Sequence, residues 1–231
     1  MTLPFHDHLV AVTAADREFL LRAPVIGEAL DGTITLPRYL AFLVQAWHHV
    51  QHTVPLLMAA TARLPARLRW LQQDMLHYVE EELGHDEWIL NDLHAAGADV
   101  DAVRAMPAAP AADALVAYVY DTVMRRNPVG IFGMVLVLEG TSVSIALRAA
   151  DGIEASLGLP AQAFTYLRSH GELDREHVGD LARILNRLDD AGDRQAIEHC
   201  ARTMYWLYGS LFRGLDQVAV PLAATPARRL A

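Results

Sequence analysis

Apolar positions recur at three- and four-residue steps along nearly the whole chain, and alternating runs of strand length are scarce. The pattern predicts a first helix over 5–22, with Leu9, Phe19 and Leu20 among its apolar positions, and a short segment near 25–31 stopped at Asp31-Gly32. A long helix follows from Leu36-Pro37 to about Arg63, with Thr35 as its cap and Pro37 in its first turn. Pro55 lies inside that helix and predicts a kink. A third helix is expected over 66–95, ending at Gly97. Residues 98–112 are rich in Ala, Pro and Asp and read as a surface connection with one helical turn at 99–105. Further helices are expected over 112–126, 129–150, 164–187 and 191–218, with breaks at Asn127-Pro128 and at Gly158-Leu159-Pro160. The tail from Pro221 onward is expected to fray. The sum is seven or so helices and no sheet: an all-α bundle, read as one domain over 1–231.

The helix over 129–150 is apolar nearly all round, which predicts a central position. Glu139 is the single charged residue between Pro128 and Arg148. An ionised carboxylate in an apolar interior is costly unless it is paired or metal-bound. The chain has no lysine, so the alternatives for Glu139 are an arginine or a metal. Gly140 beside it leaves room for another backbone or a substrate. In the last helix, Tyr205, Trp206, Tyr208 and Phe212 read as core.

The stretch 164–187 carries His170, Asp174 and His177. At 100° per residue, Asp174 lies about 40° from His170 and His177 about 20° on the other side. One stripe of one helix thus offers two imidazoles and a carboxylate, whereas Glu172 and Glu176 point away. That donor set suits Fe(II) or Mn(II). The bland alternative is a solvated face that happens to carry histidines.

A helical metal site needs donors from facing helices. The helix over 66–95 carries Glu80-Glu81-Glu82-Leu83-Gly84-His85. Glu82 and His85 have the Glu-x-x-His spacing used in di-iron carboxylate bundles, and Glu81, four residues before His85, could substitute for Glu82. An exposed acidic run is the plain alternative. The full candidate set is Glu82, His85, Glu139, His170, Asp174 and His177. Three carboxylates and three imidazoles suit two Fe(II) ions with open positions for O2. His170 and His177 would face different metals, and Glu139 would bridge from the opposite helix. His48, His49 and His52 could support the ligands, act in proton transfer or simply be buried; Tyr78 could line the site.

Charge and composition narrow the field further. The formal net charge is -9 and no basic run exists, so neither nucleic acid nor an anionic membrane is an expected partner. No uninterrupted apolar stretch reaches membrane-spanning length. All 19 basic residues are arginine, which excludes Schiff-base lysine chemistry. The single Cys200 excludes an internal disulfide and a cysteine-built zinc cluster, and it fits a reducing compartment. With no secretory signal at the N-terminus, a cytoplasmic location is expected.

The ordered set of a Glu/His helix, a lone Glu and a final His-x3-Asp-x2-His resembles the haem-oxygenase-like di-iron oxidases and oxygenases, within the wider TenA/PQQC-like superfamily. Here the matching residues are Glu82 and His85, then Glu139, then His170, Asp174 and His177. The resemblance implies a haem-oxygenase-like helical bundle. It implies two iron ions and the use of O2 on a small organic acid or amine, by oxidative decarboxylation, N-oxygenation or C–C cleavage. It also implies a possible homodimer. Many members of the family place the first Glu seven residues before the His, where this chain has Tyr78. A metal-free TenA/PQQC-like enzyme and a non-catalytic helical interaction protein are the rival readings.

Overall fold

The structure, a computed structural model, describes residues 3–224, apart from the side chains of 172–176. Twelve α-helices make up the described chain: α1 (Phe5–Val12), α2 (Ala14–Leu21), α3 (Pro24–Asp31), α4 (Leu36–Val50), α5 (Thr53–Ala62), α6 (Gln72–Glu82), α7 (His85–Ala95), α8 (Val100–Arg104), α9 (Pro110–Arg125), α10 (Ile131–Leu157), α11 (Thr165–Arg187) and α12 (Ala191–Arg213). There is no named strand among the described residues, only an isolated bridge between Ala98 and Leu222. The fold is therefore all-α, as the periodicity predicts.

The count exceeds seven because three expected helices are broken. The segment 5–22 splits at Thr13, whose hydroxyl donates 2.8 Å to the Leu9 carbonyl. The segment 36–63 splits at Gln51-His52, ahead of Pro55. A proline ring excludes the carbonyl four residues back from its normal place, here that of Gln51, so the break falls one turn upstream of the proline. The segment 66–95 opens with a 3-10 turn over Ala66–Leu71 and then breaks at Leu83-Gly84, where Gly84 takes φ +86°. That left-handed conformation suits glycine and ends α6 just after the acidic run. Thr35 does stand at the N-cap of α4, but its hydroxyl makes no capping bond.

The core is continuous, and α10 runs through its centre, packed on α3, α11 and α12. Its extended form, Pro128–Leu157, is long and apolar enough to cross a membrane by length and composition, but 67% of that window is buried within the protein. It is the core helix of the bundle. Close approach is achieved at Gly133, where an added Cβ would lie 2.6 Å from both the Ala201 nitrogen and the Ile197 oxygen of α12. At Gly140 an added Cβ would meet no heavy atom within 4 Å among the described residues, so no described backbone makes a close approach there.

Two peripheral expectations also change. Trp206 faces outward at 59% exposure, whereas Tyr205, Tyr208 and Phe212 are buried. The tail is pinned as far as it is described: Asp99 donates to the Pro221 carbonyl and Ala223 to the Gly97 carbonyl, each at 3.0 Å.

Candidate metal centre

Three elements meet at one end of the cavity beside α10: the broken junction of α6 and α7, the middle of α10, and α11. Glu82 is the last residue of α6 and His85 the first of α7. They do not share a continuous helix as the spacing predicts. The turn through Gly84 still brings Glu82 Oε2 to 3.2 Å from His85 Nδ1, with His85 buried and the Glu82 side chain 9% exposed. His85 stacks on Trp88 with ring centroids 4.0 Å apart, and the edge of His170 meets it at 4.7 Å.

On α11, His170 and His177 both turn toward the cluster. His170 Nδ1 lies 3.0 Å from the Tyr166 carbonyl. An N–H on Nδ1 donating to that carbonyl orients the ring and leaves Nε2 as the ligand atom. His177 is buried, with Nδ1 3.7 Å from Glu139 Oε1 and Nε2 3.1 Å from Glu81 Oε2. The side chain of Asp174 lies outside the described residues. Glu139, on α10, is buried. Tyr78, one turn before Glu82, donates its hydroxyl to the His177 carbonyl at 3.3 Å.

The ligand atoms fall into two groups, each within 4.8 Å: Glu82 with His85 and His170, and Glu82 with Glu139 and His177. The two histidines of α11 thus belong to different groups. Among the described residues the one common to both groups is Glu82, at the end of α6, whereas Glu139 is grouped with His177. Glu81 and Glu82 were alternatives in the sequence; in the structure both turn toward the site, with Glu81 at its edge, 31% exposed and also 3.3 Å from His77.

Electrostatics favour an ionised Glu82. Burial pushes its carboxyl pKa up, but the hydrogen bond from His85 and the charges of His85, His170 and His177 outweigh burial and lower it. The Tyr78 phenol is pushed strongly up, by burial first and then by Glu139, so it remains a neutral donor. The donor set fits a pair of divalent ions: oxygen and nitrogen ligands only, one carboxylate shared, and the described members largely buried.

A cavity with about 1070 Å³ of empty space, its open mouth included, adjoins this cluster. Glu82, Glu139, His170 and Tyr78 form part of its wall, and most of the remainder is apolar. His49 also lines it; burial drives that imidazole down to a pKa of about 3, with His170, His52 and His48 adding to the effect. Neither His48 nor His52 is among the described lining residues, and His52 lies against the Tyr120 hydroxyl at 3.2 Å. His6 and His8 do not line the cavity among the described residues either. Cys200 is fully buried, away from that wall, and burial pushes its thiol up to about 12.

Sequence reasoning missed Asp92. This fully buried carboxylate on α7 accepts the backbone N–H groups of Thr165 at 3.0 Å and Tyr166 at 2.8 Å, at the start of α11. Nothing in the local sequence marks it, since its partners are more than 70 residues away.

Solved structures share this architecture. A protein of haem-oxygenase-like fold and unknown function from Shewanella denitrificans matches with TM-score 0.81 at 20% identity, over 94% of each chain. A TenA homologue from Pseudomonas syringae matches with TM-score 0.80 at 11% identity, over 93% of each chain. Haem oxygenase-1 of the cyanobacterium Synechocystis, solved with haem, matches with TM-score 0.73 at 11% identity, over 93% of each chain. These likenesses show the fold. No curated protein sequence matches significantly. The profile of one family covers residues 40–209, a span that holds all six candidate ligands, and the chain belongs to that family, the iron-containing redox enzymes of haem-oxygenase-like fold.

Proposed function

We propose that this chain is an O2-dependent non-haem di-iron oxidase or oxygenase acting on a small organic acid or amine. The observation that carries the reading is the shared carboxylate: Glu82 belongs to two adjacent three-residue groups of metal-competent donors. Glu82, His85 and His170 would hold one iron, and Glu82, Glu139 and His177 the other, with Asp174 as a further ligand. Ferrous iron held there would donate electrons to O2 and so activate it for oxidation of an organic substrate.

The protein's own groups set the conditions. The Tyr166 carbonyl fixes the ring of His170, and the Tyr78 hydroxyl holds the α11 backbone at His177. The apolar face of α10 lines much of the adjoining cavity, and a wall of that kind would limit water beside a reactive site. Substrate enters that cavity and meets the cluster at its wall.

A metal-free reaction that used a cysteine nucleophile is disfavoured, because Cys200, the one thiol of the chain, is buried away from the cavity. The deciding experiment is anaerobic Fe(II) titration with metal analysis, followed by O2 exposure. Two irons per chain, with O2 consumed on exposure, are expected. One tight iron overturns the di-iron reading, and none overturns the iron reading altogether.

A further inference from the structure

A buried metal centre needs a path by which the ion reaches it. The cavity is a poor one. Among its described lining residues the histidines and carboxylates are His49, Glu82, Glu139 and His170, and most of the remaining wall is apolar. An ion crossing that wall would shed water with little to replace it, and charge moved into an apolar interior without compensating donors is costly.

A second approach reaches the cluster from the outer side of α6. His77 and Glu81 stand one turn apart on that helix, and Glu81 extends toward His177 of α11. His77 Nε2 lies 3.3 Å from Glu81 Oε1, and the other oxygen of the same carboxylate, Oε2, lies 3.1 Å from His177 Nε2. Exposure falls along this row, from 56% for the His77 side chain, through Glu81, to 3% for that of His177. Each gap has the width of a two-donor bite. With metal–nitrogen and metal–oxygen bonds of about 2.0–2.2 Å, neighbouring ligands on one ion sit about 3 Å apart. Among the described residues neither His77 nor Glu81 belongs to a group of three donors. Two donors, with water at the other positions, hold an ion weakly, which suits passage and not residence. The setting favours a cation: Glu80 is exposed beside Glu81, and Arg183, further along α11, is paired with Asp74 and Asp180.

We infer that His77 and Glu81 form the port through which a divalent ion enters the centre, taking it from water and passing it to the position of His177 and Glu139. The step is ligand exchange: a protein donor replaces a water at each stage, and the ion keeps its oxidation state. The inference rests on the di-iron reading. It gives the metal a door separate from the cavity that would admit substrate.

The test uses the full iron-free chain and Fe(II) alone, without O2 or substrate. Fe(II) is mixed anaerobically with wild-type protein, His77→Ala, Glu81→Ala and Glu80→Ala. Uptake is stopped at intervals with excess chelator, and iron per chain is counted after desalting. Release from loaded protein is followed in the same chelator. His77→Ala and Glu81→Ala are expected to slow uptake and release alike, each roughly 10-fold, and to reach the wild-type iron content in the end. A group on the path lowers the barrier from both sides and leaves the equilibrium alone, whereas a ligand, or a residue that supports one, changes affinity. Glu80→Ala removes a neighbouring charge of the same sign and should take up iron at close to the wild-type rate. Unchanged uptake in either His77→Ala or Glu81→Ala overturns the inference. A lowered final iron content in either overturns it too, since the residue would then retain the ion. Equal slowing by Glu80→Ala also overturns it, because the effect would be one of diffuse charge. Wild-type protein that takes up no iron overturns the di-iron reading and this inference together, whereas variants that load at the wild-type rate overturn this inference alone.

Discussion

The Asp92 carboxylate accepts the backbone N–H of Tyr166 at 2.8 Å, and the Tyr166 carbonyl in turn lies 3.0 Å from His170 Nδ1. A residue of α7 thereby anchors the first turn of α11 and, through it, the orientation of a candidate ligand. The same α7 begins with His85, two turns before Asp92. One short helix thus holds both a ligand and the end of the ligand-bearing helix opposite. Asp92→Asn would keep one acceptor and set an NH2 group against the other N–H. A loss of about 1–3 kcal/mol is expected. Urea unfolding of metal-free protein measures this, and iron titration of the same variant should show weakened binding through His170. Unchanged stability would remove Asp92 from this role.

Glu82 and Glu139 should differ in their effect on metal. Since Glu82 is common to both groups, Glu82→Gln should reduce iron from the proposed two per chain to less than one. Glu139→Gln touches one group and should leave about one iron. Glu81→Gln, at the half-exposed edge beside His177, should leave stoichiometry intact and weaken one iron at most modestly. Metal analysis after desalting distinguishes these outcomes, and equal losses from Glu82→Gln and Glu139→Gln would refute the shared role.

Acid should weaken the fold through His48 and His49 of α4 and His52 at the start of α5. Burial lowers the pKa of His49 to about 3, and burial also lowers His48 and His52. A histidine with a lowered folded pKa binds fewer protons than in the unfolded chain, where the value is about 6.5. Its contribution is therefore present above about pH 6.5 and is lost as pH falls toward the folded value. Asp92 runs the other way: burial raises it to about 6, so its contribution grows as pH falls from 6 toward 3.8. His49→Phe should accordingly lose less stability than wild type between pH 7 and pH 5. Denaturant midpoints at the two pH values test this, and parallel losses would argue against a neutral, buried His49.

Two glycines of α10 should respond oppositely to alanine. Gly133→Ala places a methyl group 2.6 Å from backbone atoms of α12, which cannot move independently, and should cost about 1–3 kcal/mol. Gly140→Ala meets nothing within 4 Å among the described residues and should gain roughly 0.5–1 kcal/mol from helix propensity. Thermal melts of the pair check both signs.

Iron should also tie the site's elements together. The Glu82–His85 turn joins α6 to α7 without a continuous helix, and its flanking residues would bind the same metal. Amide exchange at 82–86 should slow on anaerobic addition of Fe(II). Exchange that is unchanged by iron at full loading would contradict a metal held by this junction.

The helical class, the buried position of Glu139 and the inward stripe of His170 and His177 follow from the sequence by itself. Periodicity is a local property, and a lone charge in an apolar helix needs no tertiary information to be noticed. The sequence also contained the Glu-x-x-His spacing, although it implied a continuous helix that does not exist. Spacing records how far apart residues are along the chain, whereas Gly84 decides where the chain turns. Tertiary packing alone decided that Glu82 faces both histidines and that Glu81 joins the edge. It also decided that His49, not His48 or His52, lines the cavity, because α4 is packed on several sides and its burial masks any single face. Asp92 was invisible for the same reason: its partners are backbone N–H groups of a distant helix end, and backbone groups carry no sequence signature.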